Sequence, residues 1–217
     1  MIARRTVALA AVVHTLSLSI AFAQDEPREP ISRFVADAHV AFPNFPDDAS
    51  IATGLGITEE NLPGRGLGLA FGVHVYPARM GKVTLGLGGQ LLISRASNTL
   101  EPATEGGAAG PTVKGYFNAL SPEVSLNFGS GEGWSYVSGG IGWSTLTIEN
   151  AARPVTDADG WLQTINYGGG ARWFAKPHLA FSFDLRFYKF GAQDAITGRP
   201  AYPGARMLIL SAGLSVK

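Results

Sequence analysis

The chain has 217 residues, of which 46% are hydrophobic and only 16% charged, with 28 glycines and no cysteine. Lys plus Arg and Asp plus Glu balance at 17 each, and no basic cluster accompanies the aromatics, which sets nucleic acid aside as a partner. Without cysteine there is no disulfide, no thiolate metal site, no thiol nucleophile and no lipid anchor on an N-terminal cysteine.

Residues 1–23 read as a cleaved signal peptide. Arg4 and Arg5 form a positive start, Val7 to Phe22 is largely apolar, and Ala21-Phe22-Ala23 supplies the small residues of a cleavage site. Residues 24–33 then form a short N-terminal segment. No later stretch of 18 apolar residues offers a transmembrane helix.

From residue 34 onward the chain is a succession of two-faced runs with a period of two, the mark of strands between different environments. Residues 34–42 set Phe34, Ala36, Ala38, Val40 and Phe42 against Val35, Asp37, His39 and Ala41. Residues 67–76 set Leu67, Leu69, Phe71, Val73 and Val75 against Gly68, Ala70, Gly72, His74 and Tyr76. Residues 83–95 and 116–128 continue the pattern, with Leu87 on one apolar face and Glu123 on the other strand's polar face. Residues 134–148 are less regular: the alternation drifts between Trp134/Tyr136 and Val137/Ile141/Trp143, which predicts a bulge near Gly139-Gly140. Residues 164–174 carry Trp173 opposite Arg172. Residues 179–190 carry Phe181 and Phe183 opposite Asp184 and Arg186, and residues 206–217 carry Leu210 opposite Ser211.

Those are eight strands, and their connections alternate in length. Pro77–Lys82, Gly129–Gly133 and Ala175–His178 are short, with Pro and Gly turn chemistry. Residues 43–66, 96–115, 149–163 and 191–205 are long and rich in Gly, Pro, Thr and acids. An even number of strands with strictly alternating short and long links predicts an up-and-down antiparallel barrel, with both termini on the short-turn side. The second face is dominated by Gly, Ser, Ala and Thr, which suits a crowded lumen. Its charges are mutually compensating, and aromatics sit near the ends of the apolar runs, as interfacial girdles require. The apolar face, with Phe34, Phe71, Leu87, Trp173, Phe181, Phe183 and Leu210, is therefore expected to meet lipid. The alternative is a soluble lipocalin-like barrel with the faces reversed.

The signal peptide, eight two-faced strands, four long loops and short turns resemble the small bacterial outer-membrane β-barrels of the OmpA/OmpX type, over roughly residues 31–217. The resemblance implies an all-β, eight-stranded transmembrane barrel in the outer membrane of a Gram-negative-type bacterium. It implies contact with outer-membrane lipid and lipopolysaccharide, handling by the barrel assembly machinery, and four extracellular loops available to a surface ligand. Such proteins commonly end in an aromatic residue, whereas this chain ends Leu214-Ser215-Val216-Lys217.

The candidate site is the lumen set Asp37, His39, His74, Glu123, Arg172, Asp184 and Arg186. Carboxylate and histidine together suit acid–base or metal chemistry, but interleaved Arg and Asp/Glu are what a narrow enclosed lumen needs for neutrality. The set is read as structural, with no catalytic residue, cofactor or metal. A lipid A-modifying enzyme is the alternative from another class; it calls for a serine–histidine pair at the outer rim, and the long loops contain no histidine. A narrow channel is a third reading. Asp47-Asp48, Glu59-Glu60 and Asp157/Asp159 are loop acids, read as solvated rather than as calcium ligands.

Overall fold

The computed structural model describes residues 29–102, 107, 109–150, 160–192 and 204–217. The predicted signal peptide, residues 1–23, lies outside the described residues, as do the centres of the last three long connections. Of the two units into which the chain divides, Ile31–Lys217 holds the barrel.

Eight strands form it: β1 (Phe34–Asn44), β2 (Leu67–Met80), β3 (Val83–Thr99), β4 (Thr112–Ser130), β5 (Gly133–Asn150), β6 (Leu162–Lys176), β7 (Leu179–Phe190) and β8 (Ala205–Val216). Each pairs antiparallel with the next, and β8 returns to β1 from Ala36↔Val216 to Asn44↔Leu208, closing the ring. Closure leaves no strand edge, which is the condition a sheet must meet where no water can satisfy its backbone.

Several strand ends differ from the periodicity reading. β3, β4 and β5 run 17, 19 and 18 residues, well past the roughly 9–11 needed to span a bilayer. The long connections are accordingly shorter than predicted, and 43–66, 96–115, 149–163 and 191–205 each lose residues to strands. β2 likewise continues beyond Pro77 to Met80, with its register against β3 shifting between Val75 and Ala78. A bulge there accommodates a residue that cannot donate to the ladder.

The expected bulge at Gly139-Gly140 is absent. β5 keeps one register with β4 on both sides of the glycines, and with β6 throughout. The drift in the sequence has another cause: Trp134 and Tyr136 are large aromatics on the inward face, and Leu146 and Ile148 are inward too. The lumen is thus not uniformly small and polar. It is layered, with apolar side chains at both ends and polar ones between.

At the short-turn end, Ile31, Val35, Tyr76, Trp134 and Tyr136 form one apolar layer, with Phe174 packed against it. Trp134 stacks on Phe174 at 5.2 Å between centroids and meets Tyr76 edge-on at 5.8 Å. The Lys217 ammonium lies 4.2 Å from the Phe174 ring centre, across this mouth. At the long-loop end a larger layer includes Leu92, Phe117, Leu146, Ile148, Tyr188, Phe190, Met207 and Ile209.

That upper layer is completed from the first long connection. Asp48 accepts from the Ser50 N–H at 2.8 Å and starts a short helix, α1 (Ala49–Leu55). Gly56 ends it in the left-handed conformation at φ 68°, the usual helix stop. Ile51, Ala52 and Leu55 share one face and are buried with Phe45 and Leu62 in the upper layer. The segment 43–66 is therefore folded into the barrel mouth, and Asp48 serves as a helix cap. Its hydrogen bonds hold the Asp48 carboxyl below the usual carboxylate range. Asp48→Ala is expected to cost about 1 kcal/mol. Limited proteolysis checks it: cleavage near residue 50 should quicken while the barrel fragment survives.

The outer face is apolar. Phe34, Phe71, Leu87, Trp173, Phe181, Phe183 and Leu210 all point outward, with 39% to 62% of their surface exposed. They belong to a belt that also includes Leu69, Val73, Ile93, Leu120, Val124, Val137, Ile141 and Ile165. A continuous apolar exterior around a charged interior is the inverse of a soluble barrel, and it is the arrangement of a barrel dissolved in lipid.

Candidate functional site

The middle layer of the lumen gathers the charged residues named from the sequence. Alternation turns Asp37 and His39 inward from β1, His74 from β2, Glu123 from β4, Arg172 from β6, and Asp184 and Arg186 from β7. All seven are buried, and the two guanidiniums retain only 2% exposure. The layer is therefore closed off from bulk solvent at this depth.

Arg172 grips Asp37 with two parallel bonds, Nε to Oδ1 at 3.0 Å and Nη2 to Oδ2 at 2.6 Å. The Ser215 hydroxyl donates to the same Asp37 Oδ1, and His74 Nε2 stands 3.0 Å from Asp37 Oδ2. Arg186 is the second hub. Its Nε and Nη2 reach the two oxygens of Asp184 at 3.2 and 3.1 Å. Its Nη1 pairs with Glu123 and donates to Asn166 Oδ1 at 2.8 Å, while Nη2 donates to Ser138 Oγ at 2.8 Å. Bidentate geometry of this kind is what makes arginine the residue for enclosed carboxylates.

The two hubs are joined. His74 Nδ1 lies 3.8 Å from Glu123 Oε1, so the imidazole stands between the Asp37 and Glu123 carboxylates. Tyr136 donates to Asp184 Oδ2 at 2.8 Å, and its ring lies 4.4 Å beneath the Arg172 guanidinium. Tyr136 fits only because Gly170 has no side chain: a Cβ there would lie 2.7 Å from the phenol oxygen. Three buried carboxylates face two guanidiniums, and His74 is the third basic group placed against them.

His39 stands apart. Its Nε2 is 2.6 Å from Ser182 Oγ and its Nδ1 is 3.2 Å from Ser211 Oγ. A serine–histidine contact invites a catalytic reading, but the group behind this imidazole is a second serine rather than an orienting carboxylate. All three residues are enclosed in the lumen. The arrangement satisfies buried polar atoms and offers no approach to a substrate.

The geometry adds members that alternation did not single out: Tyr136, Ser138, Asn166 and Ser215, and further up Tyr188, whose hydroxyl donates to Gln90 Oε1 at 2.9 Å. Tyr136 had a signal in the sequence, the break in phase beside Trp134. The others are indistinguishable from ordinary polar residues of an inward face. Among the described residues, no group of three or more His, Asp and Glu is arranged to hold a metal ion.

No protein-family model matches the chain, and no curated protein matches it. Solved structures of similar shape include Neisserial surface protein A, at 15% identity and a TM-score of 0.45, covering 86% of this chain and 97% of that one. The outer membrane protein OprG from Pseudomonas aeruginosa is similar at 10% identity and a TM-score of 0.46, covering 88% and 98%. The outer membrane enzyme PagL is similar at 10% identity and 0.44, covering 85% and 99%. The chain has the architecture of a small eight-stranded outer-membrane barrel, and that statement stands on its own closed strand ring and apolar belt.

Proposed function

We propose that this protein is a non-enzymatic resident of the bacterial outer membrane whose barrel is a sealed anchor and whose work is done by its outside. The observation that carries the reading is the buried middle layer, where Arg172 and Arg186 are 98% covered and locked to Asp37, Glu123 and Asp184. Above it sits an apolar layer closed by α1, and below it the Trp134–Phe174 stack. A pore needs a continuous polar path, and a hydrolase needs a nucleophile that substrate can reach. Burial of this layer supports neither within the lumen, and the long connections contain no histidine to serve a serine at the rim. What is left to meet partners is the outer wall, in contact with lipopolysaccharide, and the long connections at one rim, which offer a surface ligand its binding elements. Insertion would fall to the barrel assembly machinery.

Two measurements test this. Purified protein in planar bilayers is expected to give no discrete conductance steps; stepwise currents abolished by α1 substitutions would establish a gated channel instead. Mass spectra of lipid A from cells with and without the protein are expected to be identical. A change in acylation upon expression would make it an enzyme.

A further inference from the structure

The outer wall at the long-loop end carries a feature that neither anchorage nor a sealed lumen requires. Arg65, Arg95 and Lys114 are all exposed there and line one groove of about 530 Å³. The strand register explains the convergence. Leu67 is the partner of Arg95, Arg95 of Tyr116, and Ser97 of Lys114; Arg65 lies two residues before β2 and Arg95 and Lys114 are on β3 and β4, so the three cations stand within about two interstrand spacings, roughly 10 Å. Long flexible side chains at that separation can meet on one anion.

None of the three makes an ion pair or a side-chain hydrogen bond among the described residues. Glu149 is the Cα partner of Lys114, and Glu59 and Glu60 lie on the 3-10 turn Glu59–Asn61. Like charges on adjacent strands disfavour each other, and an anion between them relieves that.

Toward the membrane the same wall turns apolar. A second groove of about 660 Å³ runs on from the first, sharing Leu67, Arg95 and Tyr116, and continues over Leu69, Phe71 and Ile93. On its other side Arg65 borders a third groove of about 570 Å³, with Phe42, Leu208 and Leu210. Cations above two apolar troughs, at the height of a girdle tyrosine, match an amphiphile lying along the barrel. A bare anion would leave the troughs unused, and an uncharged lipid would leave the cations unpaired.

We propose that this wall is a binding site for one phosphorylated, multiply acylated membrane lipid. Its phosphate sits among Arg65, Arg95 and Lys114, and its chains lie in the grooves beside Leu67 and Leu208. The proposal rests on the membrane reading above and deepens it by naming the lipid class and the place.

Native mass spectrometry of the full chain in a neutral detergent tests it, with three probes: a diphosphorylated, multiply acylated glucosamine disaccharide, phosphatidylcholine, and inorganic pyrophosphate. The wild type should retain one copy of the first and little of the others. The combined R65Q/R95Q/K114Q variant should lose at least about tenfold in affinity, the equivalent of about one charge-assisted contact. The K176Q/K189Q variant, neutralised on β6 and β7, which border none of the three grooves, should bind as the wild type. Equal binding by the triple variant overturns the proposal. So does equal loss in K176Q/K189Q, which would mean diffuse surface charge, or displacement of the lipid by pyrophosphate, which would mean a bare anion site. Each variant is first checked for the gel shift between unheated and boiled samples that marks a folded barrel. Should the triple variant not fold, R95Q and K114Q singly, with a salt titration of the wild type, make the same test. Loss of that gel shift in the wild type would remove the membrane reading itself. A retained shift without lipid selectivity would remove this proposal alone.

Discussion

Replacing Arg186 with leucine should destabilise the folded barrel by about 3–5 kcal/mol, the cost of leaving buried charge without its partner. Arg186 is the position of largest effect because it serves two carboxylates, Glu123 and Asp184, and also takes up Ser138 and Asn166. Urea unfolding in lipid vesicles, followed by tryptophan fluorescence and the gel shift, measures the loss. A midpoint unchanged from the wild type would mean that water enters the lumen and hydrates the two acids. A second comparison isolates the cause. In an Arg186→Leu background, Glu123→Gln should restore part of the stability, since it removes a charge that no longer has a partner. The coupling between the two sites is read from the double-mutant cycle.

Phe183→Arg should cost about 2–4 kcal/mol near the bilayer midplane, or block insertion outright. Phe183 points outward from β7 between Ala171 on β6 and Ala212 on β8, and 43% of its surface is exposed. Its neighbour in sequence, Asp184, points inward. The pair therefore gives a sharp contrast: a charge is accommodated on the inner side of the strand and refused on the outer side one residue earlier. Normal folding of Phe183→Arg in vesicles, with the wild-type midpoint, would reverse the assignment of faces and favour a soluble barrel.

Much of this was legible because strands repeat every two residues. A run such as Phe181-Ser182-Phe183-Asp184-Leu185-Arg186 declares its two faces without reference to any other strand. It also places Asp184 and Arg186 close together on one of them. Asp37 and Arg172 are different: they lie 135 residues apart, on β1 and β6, which are not neighbours in the ring. Their meeting depends on the diameter and stagger of the closed barrel, which no local pattern encodes. Trp134 and Tyr136 misled for the opposite reason. Alternation by itself separates apolar from polar, whereas in this lumen depth matters too, and aromatics face inward near the mouth. Helix α1 was missed because seven residues among Pro, Asp and Gly are too few for a helical period to emerge. Asp48 with Ser50 was its one local sign.

The ties across the lumen bear on how the barrel is made. Arg172 joins β6 to β1, Arg186 joins β7 to β4, Tyr136 joins β5 to β7, and the Ser215 hydroxyl reaches Asp37 over the β1–β8 seam. The two bonds to Asp37 differ from the others, because a sheet still open between β8 and β1 can make neither of them. Arg186 and Asp184 can pair within one strand beforehand. Until the last strand arrives, Asp37 and Arg172 must remain hydrated. Seam closure and loss of that water are then a single event, so the step that seals this half of the lumen should be all-or-none, with the C-terminal strand setting the moment.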